Sequence, residues 1–368
     1  MRRPARIALR IFGIYFAVSL VLAIGLAEMT LHPGHPPPPN RARVAAMYAP
    51  FDLQPVTIHA ADGIELCAWY SVPKHENGKA VILLHGIGDN RGGVAGYGQG
   101  FLDQGYRILL PDSRAHGESG GAVATFGVLE SDDIHRWVSW LYDRGAACVD
   151  GFGESMGASL VLESMRVEPR FCAVVAESPF STFRSMAYDR EGYFAQAGRF
   201  GLERIVGRTV GLLPTEIALW YAKWRYGVDL RQANPLAAVK SSTVPVLLIH
   251  GEDDVNIFPV HSRILAWADP VHARLWLVPG AGHCGAASVA PREFWSRVLG
   301  FFAQHAVMTG GGSSGLSVPA KSSNLACRQK QKPRIITPGL LLESWTLARP
   351  AKHLNRRALP VRCQVLLL

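Results

Sequence analysis

The sequence predicts an α/β fold: an open, mostly parallel sheet wrapped by helices, with an antiparallel start. Between about residues 53 and 306, short β-branched runs alternate with longer amphipathic ones. The short runs are largely apolar on both faces, as parallel strands covered on both sides must be. The opening stretch "PVTIHAADGIELCAWYSV" behaves differently. It alternates polar and apolar residues on two arms around Asp62-Gly63, the pattern of a β-hairpin.

The elements follow in order. After the hairpin come "AVILLHG" (80–86), "YRILLPDSR" (106–114), "ACVDGFG" (147–153), "FCAVVAESP" (171–179), "VPVLLIHG" (244–251) and "ARLWLVPGAGH" (273–283). Helical segments lie between most of them. "SDDIHRWVSWLYDR" (131–144) puts Ile134, Trp137, Val138 and Leu141 on one side, with acids at its start and Arg144 at its end. Residues 181–240 break the rhythm. They hold no strand-like run but much aromatic material, including Tyr188, Tyr193, Phe194, Trp220, Tyr221, Trp224 and Tyr226. This reads as a helical insertion over the strand ends, a lid; the plainer alternative is a packed helical subdomain without a substrate role.

Both ends differ from the body. Arg2, Arg3, Arg6 and Arg10 precede an uncharged stretch from Ile11 to Ala27. Seventeen helical residues rise about 26 Å, the short end of a membrane span. Residues 1–30 therefore read as a signal anchor, with a cleaved signal peptide as the competitor; Gly25 and Ala27 make a poor cleavage site. The arginines keep the N-terminus cytoplasmic, so the body crosses the membrane, and cleavage would make it secreted. Residues 31–52 contain "HPGHPPPPN" and read as a stiff extended spacer. Residues 307–368 begin with a Gly/Ser-rich linker, turn basic and show no sustained period, so they read as a largely disordered tail.

The formal net charge of the 368 residues is +9. Residues 309–368 contribute +9 and residues 1–30 contribute +3, which leaves the body at −3. The body thus offers no phosphate-binding face, and nucleic acid is excluded as a partner. Six cysteines (67, 148, 172, 284, 327, 363) show no metal-ligand spacing. Cys148 and Cys172 lie in apolar strand-like runs and read as small core residues. Neither a metal nor a cofactor is expected.

The chemistry centres on "GFGESMGAS" (151–159). Ser155 follows a buried strand and opens a helix, with Gly153 and Gly157 two residues away on either side. A serine at such a junction sits in a tight turn that lifts its Oγ above the sheet. The turn brings strand and helix so close that side chains at both glycine positions would collide. A serine hydroxyl needs a base to take its proton, and the base needs an orienting acid. "LLIHGEDDVNIFP" ends one strand with Asp253 and Asp254; "LVPGAGHCG" ends the next with His283. The order Ser, Asp, His is the one this fold uses. An oxyanion hole needs two fixed N–H donors. Met156, directly after the serine, supplies one; Ile87 in the loop after "VILLHG" supplies the other, with Gly88 the alternative.

Together these pieces resemble the α/β-hydrolases, and among them the serine-aminopeptidase/monoacylglycerol-lipase-like group of bacterial hydrolases. The resemblance rests on "LLHGIGDNRGG" (83–93), "LLPDSRAHGESGG" (109–121), "GFGESMGAS" (151–159), "ESPF" (177–180), "VPVLLIHGEDDVNIFPVHS" (244–262) and "VPGAGH" (278–283), in the right order over about 250 residues. It implies Ser155 as nucleophile, His283 as base and Asp254 as acid, four residues after His250, with Asp253 the alternative. The chain departs from the family in two places: Ala115 stands where a glycine is common, and Phe258 where a proline is common. His85 and His116 read as loop-fixing, and Cys284 as incidental.

The expected protein is a membrane-anchored α/β-hydrolase with a helical lid that cleaves a small-molecule ester or other acyl substrate through an acyl-enzyme at Ser155. Amide or peptide cleavage on the same triad is the alternative chemistry. A non-catalytic binding protein on the same scaffold is the alternative from another class.

Overall fold

A computed structural model describes residues 3–34, 36, 44, 46, 52–195 and 201–306. The tail 307–368 and most of the stretch read as a spacer lie outside the described residues. Eight strands form one sheet: β1 (Gln54–His59), β2 (Glu65–Ser71), β3 (Lys79–Leu84), β4 (Arg107–Pro111), β5 (Cys148–Glu154), β6 (Phe171–Glu177), β7 (Val246–Gly251) and β8 (Ala273–Val278). Their spatial order is β1-β2-β4-β3-β5-β6-β7-β8. β2 pairs antiparallel with β1 and with β4. All other neighbours are parallel. The hairpin and the six later strands fall where the alternation and the apolar runs place them.

Among the described residues the helices include α1 (Arg3–Leu31), α2 (Ala95–Asp103), α3 (Glu130–Asp143), α4 (Met156–Ser164), α5 (Phe183–Ala195), α6 (Gly201–Tyr226), α7 (Pro235–Ser241), α8 (Val260–Ala268), α9 (Ala286–Val289) and α10 (Pro291–Gln304). The sheet is covered on both faces, and the period of two along its central strands shows how. Ile82 and Leu84 of β3 join Trp137, Leu160, Val239 and Leu265, contributed by α3, α4, α7 and α8. Val81 and Leu83 turn the other way, onto Phe101 of α2 and Phe294 and Phe302 of α10. In α3, Ile134, Trp137, Val138 and Leu141 are all buried, as their helical spacing requires. The described residues of the insertion at 181–240 form helices joined by short turns and hold no strand.

Two features depart from the sequence reading. The N-terminal helix is longer than its uncharged stretch: it runs from Arg3 to Leu31. Pro4 falls in the first turn, where its missing N–H costs nothing, and the His32-Pro33 pair ends the helix. It is long and apolar enough to cross a membrane, with a mean hydropathy of 2.3 over its most apolar window. Cys148 and Cys172, expected as small core residues, are instead joined as a disulfide across neighbouring strands β5 and β6, with a Cα–Cα distance of 5.9 Å. Strand pairing brings together two sulfurs that lie 24 residues apart in sequence.

Candidate active site

Strands β3, β5, β6, β7 and β8 run parallel, so their carboxyl ends open on one edge of the sheet, the edge where such sheets carry their ligands. Ser155 lies there, between β5 and α4, with φ 53° and ψ −117°. That is a strained backbone for a residue with a Cβ. The strain is held in place by the Ser155 N–H, which donates to the Glu177 carbonyl at 2.8 Å. The flanking glycines have a steric reason. A Cβ on Gly153 would stand 2.3 Å from the Gly157 carbonyl oxygen, and one on Gly157 would stand 2.3 Å from the carbonyl oxygen of Leu84. Only side chains reduced to hydrogen let strand, turn and helix pack this closely.

His283 reaches back to this serine from the loop after β8. Its Nε2 is 2.8 Å from Ser155 Oγ, and its Nδ1 is 2.7 Å from Asp254 Oδ2. Asp254 lies on the turn after β7. Its side chain is fully buried, whereas the neighbouring Asp253 is exposed. The structure therefore brings Asp254, not Asp253, to the histidine. Burial pushes the Asp254 carboxyl up, but hydrogen bonds from His250 and His283 outweigh it and hold the group well below the ordinary carboxylate range. The Asn256 and Ile257 N–H groups donate to its other oxygen at 2.9 and 3.0 Å. His250 is itself fixed, Nδ1 to Ser262 Oγ at 2.7 Å and Nε2 to the Ile257 carbonyl at 2.8 Å.

The two expected oxyanion donors flank the serine. Met156 is the first residue of α4, where an amide has no carbonyl partner within its own helix. Ile87 follows Gly86, whose hydrogen-only side chain faces Ser155: a Cβ there would be 3.4 Å from the serine Cβ. Behind this loop, His85 and His116 are buried edge to face, with ring centroids 5.2 Å apart. His85 Nε2 accepts from the Ser113 N–H at 3.0 Å, and its Nδ1 donates to the Gly86 carbonyl at 2.8 Å. Burial pulls both imidazoles down to about 4, so they are neutral near pH 7. Neither is bonded to Ser155, Asp254 or His283, which fits the loop-fixing reading.

Sequence reasoning missed the pins that hold this loop. Asp112, after β4, accepts from the Arg91 N–H at 2.7 Å and the Glu118 N–H at 2.8 Å, and its Oδ2 is 3.2 Å from the Arg91 guanidinium. Arg91 also pairs with Glu118 and lies over the Trp69 ring. The residues adjoin in two quoted motifs, but nothing in either motif says that they meet. Cys284 is buried, its N–H 3.3 Å from Ser178 Oγ. Glu177, at the end of β6, is fully buried and accepts from the Ala286 N–H at 2.9 Å and from Tyr97.

The pattern of the alpha/beta hydrolase family matches residues 81–297, more than half of the chain. The chain belongs to this family. Within it, a curated relative, the uncharacterized protein YqkD of Bacillus subtilis, is 32% identical over 197 residues. The human protein ABHD12B is 24% identical over 201 residues. The match spans 52% of this chain in both cases, and 60% and 50% of the two relatives. Among solved structures, the hydrolase is similar to the Pyrococcus furiosus esterase Pf2001, with a TM-score of 0.56 and 23% identity over 74% of this chain and 99% of that one. It is also similar to the alpha/beta hydrolase GrgF of a Penicillium species, with a TM-score of 0.53 and 18% identity over 69% and 99% of the chains. At these identities the likeness bears on the fold.

Proposed function

We propose that this alpha/beta hydrolase is a serine hydrolase of carboxylic esters, with Ser155 as nucleophile, His283 as base and Asp254 as acid. One observation carries the reading: an unbroken line of hydrogen bonds from Ser155 Oγ through both imidazole nitrogens to the Asp254 carboxylate. Ser155 Oγ attacks the ester carbonyl while His283 Nε2 takes its proton. Asp254 holds the His283 Nδ1–H and stabilises the imidazolium that forms. The Met156 and Ile87 N–H groups receive the oxyanion, aided by the positive end of α4. His283 then gives the proton to the departing alcohol. Water, deprotonated by the same nitrogen, releases the acid and restores the Ser155 hydroxyl. The steps draw on this chain's own side chains and backbone N–H groups, with water as the second nucleophile.

In this reading α5 and α6 form a lid. Asp189 of α5 supports it: its carboxylate lies 3.3 Å from His261 Nε2 of α8, the helix that follows the turn carrying Asp254. α1 anchors the protein, and the four arginines before its apolar stretch keep the N-terminus cytoplasmic and send the body across the membrane. The disulfide favours that side, since such bonds persist in oxidising compartments.

The test is labelling with a fluorophosphonate together with hydrolysis of a p-nitrophenyl ester. Ser155→Ala should lose both while keeping its fold, with a fall in kcat on the order of 10⁶, the cost in one serine protease. Asp254→Asn should fall about 10⁴-fold and Asp253→Asn little. Labelling that persists without Ser155 would remove it as nucleophile. An aminoacyl-amide substrate cleaved in preference to every ester would move the chemistry to peptides.

A further inference from the structure

α1 is more than a length of apolar helix. Ser19, Ala23, Ala27 and Leu31 recur every fourth residue, and all four are buried. Small residues at that spacing let two helices approach closely. The partner is α6, the element against which α1 packs most extensively. At the end of this seam the Glu28 carboxylate accepts from the Tyr221 hydroxyl at 2.6 Å and from the Tyr226 hydroxyl at 2.8 Å. His32 packs edge-on against the Tyr226 ring, with centroids 5.4 Å apart. Below the seam Leu31 enters the same core as the sheet, and its carbonyl accepts from the Ala124 N–H at 2.9 Å.

The chain of contacts continues toward the site. Glu216 of α6 accepts from Arg184 Nε of α5 at 2.8 Å, from the Tyr188 hydroxyl, and from Arg231 Nη2 at 2.8 Å. On α5, Asp189 lies 3.3 Å from His261 Nε2, and Nδ1 of that histidine is 2.8 Å from Ser181 Oγ. His261 belongs to α8, which follows the turn that carries Asp254. Side-chain bonds thus run from the N-terminal helix through α6 and α5 to the segment beside the catalytic acid.

We propose that α1 is a working part of the lid as well as a tether: the Glu28–Tyr221–Tyr226 clamp fixes α6, and through it α5, over the mouth of the site. Glu28, Tyr221 and Tyr226 are positioning residues and touch no substrate. The composition fits this role. Glu28 is the one acid of α1, and its carboxylate gathers three partners, the two tyrosines and His32 Nδ1 at 3.2 Å. The phenols can donate only if α6 keeps its register along α1, so losing the carboxylate frees the lid without touching the triad.

This proposal rests on Ser155 as nucleophile and on α5 and α6 as its lid, and the experiment separates the two. Full-length protein in detergent micelles is prepared as wild type, Glu28→Ala, Glu28→Gln and Tyr221→Phe/Tyr226→Phe. Fluorophosphonate labelling and p-nitrophenyl acetate turnover report the triad. KM for a long-chain p-nitrophenyl ester and hydrogen exchange of α5 and α6 report the lid. Glu28→Ala and the double phenylalanine variant should raise KM for the long ester about tenfold, the scale of one lost hydrogen bond to a charged group. Exchange in α5 and α6 should rise, while exchange in the sheet, labelling and acetate turnover stay unchanged. Glu28→Gln keeps an acceptor and should recover most of the loss. Three results would overturn the clamp: wild-type KM and exchange in Glu28→Ala, a parallel loss on both esters, or faster exchange throughout the sheet. If wild-type protein neither labels nor turns over, the nucleophile reading fails, while the exchange data still decide whether Glu28 holds α6.

Discussion

Glu177 shows how one buried carboxyl can shape the pH response of the whole site. It ends β6 fully buried, and its backbone carbonyl holds the Ser155 N–H. Burial pushes its carboxyl up from 4.5 to about 7, and the Ala286 and Tyr97 hydrogen bonds only partly oppose this. Between those two values the folded protein keeps a proton that the unfolded chain has released. Stability therefore falls as pH rises through that window, and the full penalty is present above it. The penalty is on the order of 3 kcal/mol, because each tenfold change in proton affinity is worth about 1.4 kcal/mol. Glu177→Gln keeps the acceptor for the Ala286 N–H and cannot ionise. Its denaturation midpoint should match wild type at pH 4 and exceed it at pH 8. Equal midpoints at both would mean that Glu177 titrates as in the unfolded chain. Asp254 has the opposite sign, since its bonds hold the group below its usual range. Its contribution is present at neutral pH and is lost only as pH falls into the acid range.

At the scale of elements, the turn between β5 and α4 depends on how closely its neighbours approach. Gly157→Ala needs no unusual backbone, yet its Cβ would meet the Leu84 carbonyl oxygen at 2.3 Å and the His85 carbonyl oxygen at 2.7 Å. Neither partner can move without moving β3 and the loop that carries Ile87. Overpacking of this kind costs about 1–3 kcal/mol, and rigid backbone on both sides puts Gly157→Ala at the upper end. Urea denaturation should show that loss, and ester turnover should fall further than stability does, because the displaced loop carries the proposed oxyanion donor Ile87. A variant with wild-type stability and turnover would mean that the turn is looser than its contacts indicate. The same turn was legible from sequence, because its glycine spacing records a local collision. So were the strands, whose apolar runs and hairpin alternation are local patterns, and α3, whose periodicity places its buried face. What stayed hidden depends on long-range meetings. Tyr221 and Tyr226 lie 193 and 198 residues from Glu28. The Arg91–Asp112 pin and the Cys148–Cys172 bond join loops and strands that only the sheet order brings side by side.

For the molecule as a whole, charge and sulfur chemistry can be tested against each other. Arg2, Arg3, Arg6 and Arg10 argue for a cytoplasmic N-terminus, because basic residues beside a span resist translocation. If α1 spans the membrane, the sheet then lies on the far side. The Cys148–Cys172 disulfide is consistent with that side, since the cytosol keeps thiols reduced. One preparation checks both. In spheroplasts of an expressing bacterium, added protease should degrade the body without lysis. A maleimide gel-shift reagent, applied after denaturation, should leave Cys148 and Cys172 unmodified until a reductant is added. A body protected until lysis, with both cysteines reactive from the start, would place the sheet in the cytoplasm and reverse the orientation. A body degraded without lysis, with Cys148 and Cys172 reactive from the start, would keep the orientation and remove the disulfide. The two readouts are independent, because the arginines act during insertion and the sulfurs pair only once β5 and β6 lie side by side.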